Sequence, residues 1–165
     1  MKELTEQEAL LRLTALCSQG EHCTWEMTEK MRRWGIDAEA QARVMQYLVK
    51  ERYIDEERYC RAFVRDKIRY NKWGRRKVEQ ALMAKRVDRE VFQPVLDEVD
   101  ADEYIAVLRP LLQGKRRQLR GLDDYEVRAR LVRFAVGRGF TYDVIRQCVD
   151  TDGFEDECRE AEADD

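Results

Sequence analysis

Three short joints constrain this chain more than any other feature. W-G-I-D at 34–37, K-R-V-D at 85–88 and R-G-F-T at 138–141 each set a turn residue, an apolar residue and a helix-capping residue in that order. Gly35 and Arg86 are 51 positions apart, and Arg86 and Gly139 are 53. The turn residue reverses the chain, the apolar residue plugs a small core, and the cap starts the next helix. Recurrence at about 50 residues marks a tandem array rather than one large core. Arg86 stands where the other two joints have Gly. If that position is left-handed, Arg costs more there than Gly would.

Helix signals fill the intervals, and strand signals are nearly absent. Thr5 with Glu8 fits a capping box before Leu10, Leu13 and Cys17, and Gly20 ends that pattern. Thr24 is placed to cap a second helix bearing Met27, Met31 and Trp34, and Asp37 a third bearing Ala40, Val44, Tyr47 and Leu48. The order then returns. Asp55 opens a helix to about Tyr70, a second runs from about Arg75 to Lys85, and Asp88 caps a third in which Pro94 predicts a bend. A third round starts near Asp102, with Pro110 in its first helix, a capping box at Asp123 and Glu126, and Thr141 capping a last helix with Val144, Ile145, Cys148 and Val149.

The spacing therefore predicts an all-α protein, an extended array of three tandem three-helix repeats at residues 1–54, 55–100 and 101–149. Such units bury little alone and lean on their neighbours. Residues 150–165 hold nine acids against Arg159 and almost nothing apolar, so they read as a solvated acidic tail. Truncation after Val149 is expected to leave the helical core folded.

Charge is unevenly placed. The formal net charge is −3, yet from Arg58 to Arg89 twelve Lys or Arg face only Asp66, Glu79 and Asp88. On the helix after Asp55, Arg58, Arg61, Arg65 and Arg69 fall within roughly an 80° arc, opposite the apolar stripe. Lys72 follows in the connecting turn. Arg75, Arg76 and Lys77 occupy the first turn of the next helix, where cations are disfavoured by about 0.3–1 kcal/mol each. Exposed backbone N–H groups with three cations would suit phosphate or carboxylate. A second basic block, Lys115, Arg116, Arg117 and Arg120, could share a face with the first.

Other chemistry is poorly represented. Five cysteines at 17, 23, 60, 148 and 158 form no CxxC, and Cys17, His22 and Cys23 lack the second ligand pair that a structural zinc needs. The lone His22 has no base–nucleophile partner set, and neither a GxGxxG nor a P-loop occurs. We expect no catalytic site, metal or cofactor. No run approaches the roughly 18 apolar residues of a membrane span. The N-terminus, MKELTEQEALL, reads as neither signal nor transit peptide, which predicts cytoplasmic residence.

One stretch carries a family likeness. I-D-E-E-R-Y-C at 54–60, W-G-R-R-K-V at 73–78 and A-L-M-A-K-R-V at 81–87 resemble the RecX family of recombinase regulators. The length, the three tandem units and the W-G-I joint near residue 35 fit as well, whereas Arg86 departs from the Gly of the family pattern. The resemblance implies a monomeric, non-enzymatic protein that binds the RecA recombinase and lies in the groove of its DNA filament. It implies inhibition of filament growth, ATP hydrolysis, strand exchange and cleavage of the LexA repressor, and so a part in regulating DNA repair, recombination and the SOS response. The twelve cations from Arg58 to Arg120 named above would face that filament, with single- or double-stranded DNA as further contacts. The runner-up is an all-α DNA-binding module using the basic middle repeat. Against it stand the acidic total and the lack of a base-reading set on one helix start. An all-α scaffold without nucleic acid leaves the charge segregation unexplained.

Overall fold

The computed structural model describes residues 3–163, and over them the chain forms ten α-helices and no strand. They are α1 (Glu6–Gln19), α2 (Thr24–Arg33), α3 (Ala38–Lys50), α4 (Glu56–Arg69) and α5 (Arg75–Ala84), followed by α6 (Arg89–Asp97), α7 (Ala101–Gln118), α8 (Asp124–Gly137), α9 (Tyr142–Ile145) and α10 (Glu155–Ala163). Pro94 and Pro110 lie inside α6 and α7.

Local chemistry sets four of the helix starts directly. The Glu8 amide donates to Thr5 Oγ1 at 3.1 Å, the Ala40 amide to Asp37 Oδ1 at 2.8 Å, the Arg58 amide to Asp55 Oδ1 at 3.0 Å and the Glu126 amide to Asp123 Oδ1 at 2.8 Å. Each satisfies a donor that the helix itself cannot. The start of α2 differs from expectation by one residue. Its cap is Cys23, whose amide donates to Glu26 Oε1 at 3.2 Å, while the Thr24 amide donates to Glu56 Oε1 at 2.7 Å.

The three joints share one geometry. Gly35, Arg86 and Gly139 are all left-handed, at φ 75°, 56° and 92°. At each, this residue's amide bonds back three positions, and the next residue's amide bonds back five: Ile36 to Met31 at 3.0 Å, Val87 to Leu82 at 3.2 Å and Phe140 to Ala135 at 3.1 Å. That is the Schellman arrangement, with its apolar plug buried each time. Arg86 thus pays the left-handed penalty of an L side chain, about 1–2 kcal/mol. Arg86→Gly should stabilise the chain by roughly 1 kcal/mol, because the exposed side chain gives up little while the strain is relieved. A urea midpoint that falls would contradict this account.

The chain divides into two compact units, and α4, α5 and α6 each contribute residues to both. The first holds the described residues up to Phe63 together with Leu82–Phe92. There α1 and α2 pack on α3 around Leu13, Met27, Met31, Val44 and Leu48. Glu26 is a hub in this unit: it accepts from the Cys23 amide and thiol, with Lys85 Nζ at 3.9 Å and His22 Nδ1 at 3.6 Å. Burial opposes its charge, yet the Cys23 hydrogen bonds and the nearby Lys85 and His22 hold its carboxyl below the ordinary range. Burial pushes the Cys23 thiol up to about 11, so it is a packed hydrogen-bonding group rather than a reactive thiolate.

The second unit holds Val64–Ala81 and Gln93 onward. Here α7 packs on α8 and α9, and α10 packs on the same two helices. Two expectations change in this unit. The helix after Thr141 stops at Ile145, and the chain continues in a tightened turn with Gln147 and Cys148 amides bonding back three positions. The segment from 150 onward is not a solvated tail over its described part. Phe154 and Cys158, each 2 % exposed, lie four apart and face the core together. The Tyr142 amide donates to Glu162 Oε1 at 2.6 Å, and Glu157 lies 3.8 Å from Arg133. Asp164 and Asp165 fall outside the described residues.

Candidate functional site

The twelve cations singled out in the sequence occupy different environments. Arg58 is a brace: its guanidinium pairs with Glu21 at 2.6 Å and donates to the Arg52 and Tyr53 carbonyls at 3.0 and 3.2 Å, holding the turn before α4. Arg61 pairs with Glu57 on its own helix at 2.9 Å, an exposed contact worth under about 1 kcal/mol. Arg65, Arg69 and Lys72 are exposed and make no ion pair among the described residues.

The first turn of α5 is not an open anion site. The Gly74 amide donates to the Arg138 carbonyl at 2.8 Å, and the Arg76 amide to the Gly139 carbonyl at 3.0 Å. Two donors expected to greet phosphate are therefore already taken by main chain from the third joint. The cations are committed too. One nitrogen of Arg75 donates to Asp97 Oδ1 at 2.7 Å and Gln93 Oε1 at 3.0 Å, and Arg76 is only 8 % exposed. Sequence reasoning could not see this, because the main-chain partners lie more than sixty positions away.

Lys77 belongs to a different arrangement. Its Nζ sits 4.8 Å from the Trp73 ring centroid, and Lys67 Nζ sits 5.0 Å from the same ring. The Trp73 amide donates to the Lys67 carbonyl at 3.1 Å, which holds the ring beside its cations. The adjacent Asn71 carbonyl accepts from Arg138 Nη1 at 3.3 Å. Arg138 also stacks over Phe134 at 5.5 Å, where Lys115 Nζ lies 5.6 Å from the same ring. Aromatic faces attract cations at these distances, so Trp73 and Phe134 gather Lys67, Lys77, Arg138 and Lys115 into one ribbon in the second unit.

That ribbon joins one member of the second basic block to the first. Arg116, Arg117 and Arg120 are exposed near the end of α7 and make no ion pair among the described residues. The residues that sequence reasoning passed over are Lys67, Trp73, Phe134 and Arg138. The R-G-F-T joint places Arg138 immediately before the left-handed Gly139, but nothing local shows that it reaches Asn71 and Phe134.

Among the described residues no three His, Cys, Asp or Glu converge as metal ligands, and no helix is long and apolar enough to cross a membrane. The second unit thus carries cations held on aromatic rings, together with the exposed, unpaired Arg65, Arg69, Lys72, Arg116, Arg117 and Arg120. Positive charge so arranged attracts anions, and salt screens that attraction.

Comparison with known proteins follows this geometry. Residues 55–96 match the sequence model of RecX, second three-helix domain, and residues 102–149 that of RecX, third three-helix domain. Regulatory protein RecX of Chlorobium limicola is 30 % identical over 151 residues, which is 90 % of this chain and 92 % of that protein. Regulatory protein RecX of Thermus thermophilus is 40 % identical over 88 residues, 53 % of each chain. Against regulatory protein RecX of Clostridium botulinum the identity is 27 % over 126 residues, and the matched part spans 75 % of this chain but 58 % of that protein. Among solved structures, RecX from Lactobacillus salivarius superposes with a TM-score of 0.79 over 87 % of this chain and 93 % of its own, at 15 % identity. A crystal structure of regulatory protein RecX gives 0.80 over 87 % of this chain and 72 % of its own, at 16 % identity. The structural likeness concerns the fold, an all-helical tandem array.

Proposed function

Since the chain belongs to the RecX family of regulatory proteins, we propose that it binds the RecA recombinase on its DNA filament and inhibits it without catalysing a reaction. Lying in the filament groove, it would block growth of the filament and lower ATP hydrolysis, strand exchange and LexA cleavage. One copy would affect many recombinase subunits. The cytoplasm, where such filaments assemble, is then its place of action, and it would act as a monomer.

The observation that carries this reading beyond membership is the set of cations in the second unit. Exposed cations without ion pairs cost the fold little in water, and opposite charge on a partner turns them into attraction. Arg65, Arg69, Lys72, Arg116, Arg117 and Arg120 are of this kind, and Lys77 and Lys115 stand on aromatic rings beside them in the chain. Arg58, Arg75 and Arg76 support the fold, and we assign them no direct contact.

The test is the ATPase of RecA filaments preformed on single-stranded DNA. Hydrolysis should fall steeply at well below one copy of this protein per recombinase subunit. The joint replacement of Arg65, Arg69 and Lys72 by Glu should blunt inhibition, and more so at low salt, where attraction is least screened. Unchanged hydrolysis at equimolar wild-type protein would overturn the proposal.

A further inference from the structure

The residue next to the uncommitted cations is itself unusual. Tyr70, one position beyond α4, is 78 % exposed, the highest value among the large apolar side chains that the surface displays. Burying its ring against the protein would remove apolar area from water at about 25 cal/mol per Å², and the fold leaves that gain unused. Tyr59, on the same helix, is buried at 6 % against Phe63. Tyr70 is therefore not a core residue that slipped outward, since the apolar stripe of α4 is complete without it.

Its setting is cationic. Arg65, Arg69 and Lys72 flank it in sequence, all exposed and without ion pairs among the described residues, with Asp66 the single acid of the stretch. On its other side Asn71 is held by Arg138, and Trp73 by Lys67 and Lys77. Lys72 is left-handed at φ 59°, a strained state for Lys, and it turns the chain sharply between the two aromatic residues. A free aromatic face beside a track of cations is the combination used to hold unpaired bases along a phosphate backbone.

We propose that Tyr70 is a base-stacking platform, so that the basic segment from Arg65 to Lys72 binds single-stranded nucleic acid in preference to duplex. The inference rests on taking that segment as partner-facing surface. Cations alone do not discriminate, because both forms present phosphates. Stacking does, because the bases of a duplex already stack on each other and only an unpaired base has a free face. An acidic protein segment would satisfy the cations but would leave Tyr70 with no use. Tyr70 thus supplies strand preference, and the cations supply affinity.

The experiment uses the full chain and naked oligonucleotides, with no recombinase present, so its outcome is separate from that of the ATPase assay. Fluorescence anisotropy would follow binding to a labelled oligothymidylate and to a duplex of equal length across a salt series. Tyr70→Ala should weaken single-strand binding about tenfold, leave duplex binding unchanged, and leave the salt slope unchanged because no cation is removed. Tyr70→Phe should retain the wild-type preference, since the ring stays. Circular dichroism should show both variants folded, as expected for so exposed a residue. Four results would each overturn the proposal: no single-strand binding by the wild type at low salt, a Tyr70→Ala affinity within twofold of wild type, an equal loss on both nucleic acids, or polyglutamate competing as well as the oligonucleotide.

Discussion

Gly139→Ala should be strongly damaging for an exchange that adds one methyl group. The residue is left-handed at φ 92°, and a methyl group there would lie 2.4 Å from Lys77 Cβ and 2.5 Å from Lys77 N. The obstruction includes main chain at the start of α5, so a side-chain rotation cannot relieve it. Gly74 faces the same crossing from the other side of the contact: its added Cβ would meet Phe140 N at 2.3 Å. Overpacking at backbone, added to left-handed strain, should cost about 3 kcal/mol or more. That corresponds to a fall in melting temperature of roughly 6–12 °C for a chain of this length. Gly121→Ala is the control, because Gly121 is equally left-handed at φ 90° but has nothing within 4 Å of the added methyl. It should lose only about 1 kcal/mol. Equal losses at 121 and 139 in calorimetry would mean that the crossing is not tight.

Removal of the C-terminal segment should also be costly, contrary to what its composition suggests. Phe154→Ala alone should lose about 3–5 kcal/mol, the usual range for a buried Phe. Truncation after Val149 should lose at least as much, since it also removes Cys158 and the carboxylate of Glu162 from the start of α9. Urea denaturation of the two variants beside the full chain reads this directly. A truncated protein with an unshifted midpoint would return residues 150 onward to the status of a solvated end.

The contrast between these two features and the helix caps shows what a sequence can reveal here. Thr5, Asp37, Asp55 and Asp123 act within three residues of themselves, so their hydrogen bonds could be anticipated from spacing alone. The joints at Gly35, Arg86 and Gly139 are likewise local, and their shared geometry matches their shared pattern. Cys23 escaped notice because a thiol is an uncommon cap, and the stabilising carboxylate comes from Glu26. Phe154 and Cys158 were outvoted by the acids around them, although their spacing of four was visible. The commitment of Arg75 and Arg76 depends on Asp97 and Gly139, which no local pattern connects to them. The basic face was thus legible as composition, and only folding sorts its braces from its uncommitted cations.

The clasp between the start of α5 and the third joint also sets a timetable for synthesis. The Gly74 amide and the Arg138 carbonyl that accepts from it are separated by 64 positions of chain. At about 5–20 residues per second, the acceptor leaves the peptidyl-transferase centre roughly 3–13 s after the donor. During that interval two N–H groups at the start of α5 lack the carbonyls that accept from them in the folded chain. Products stalled before Gly139 would remain in that state and offer proteases an unclasped helix.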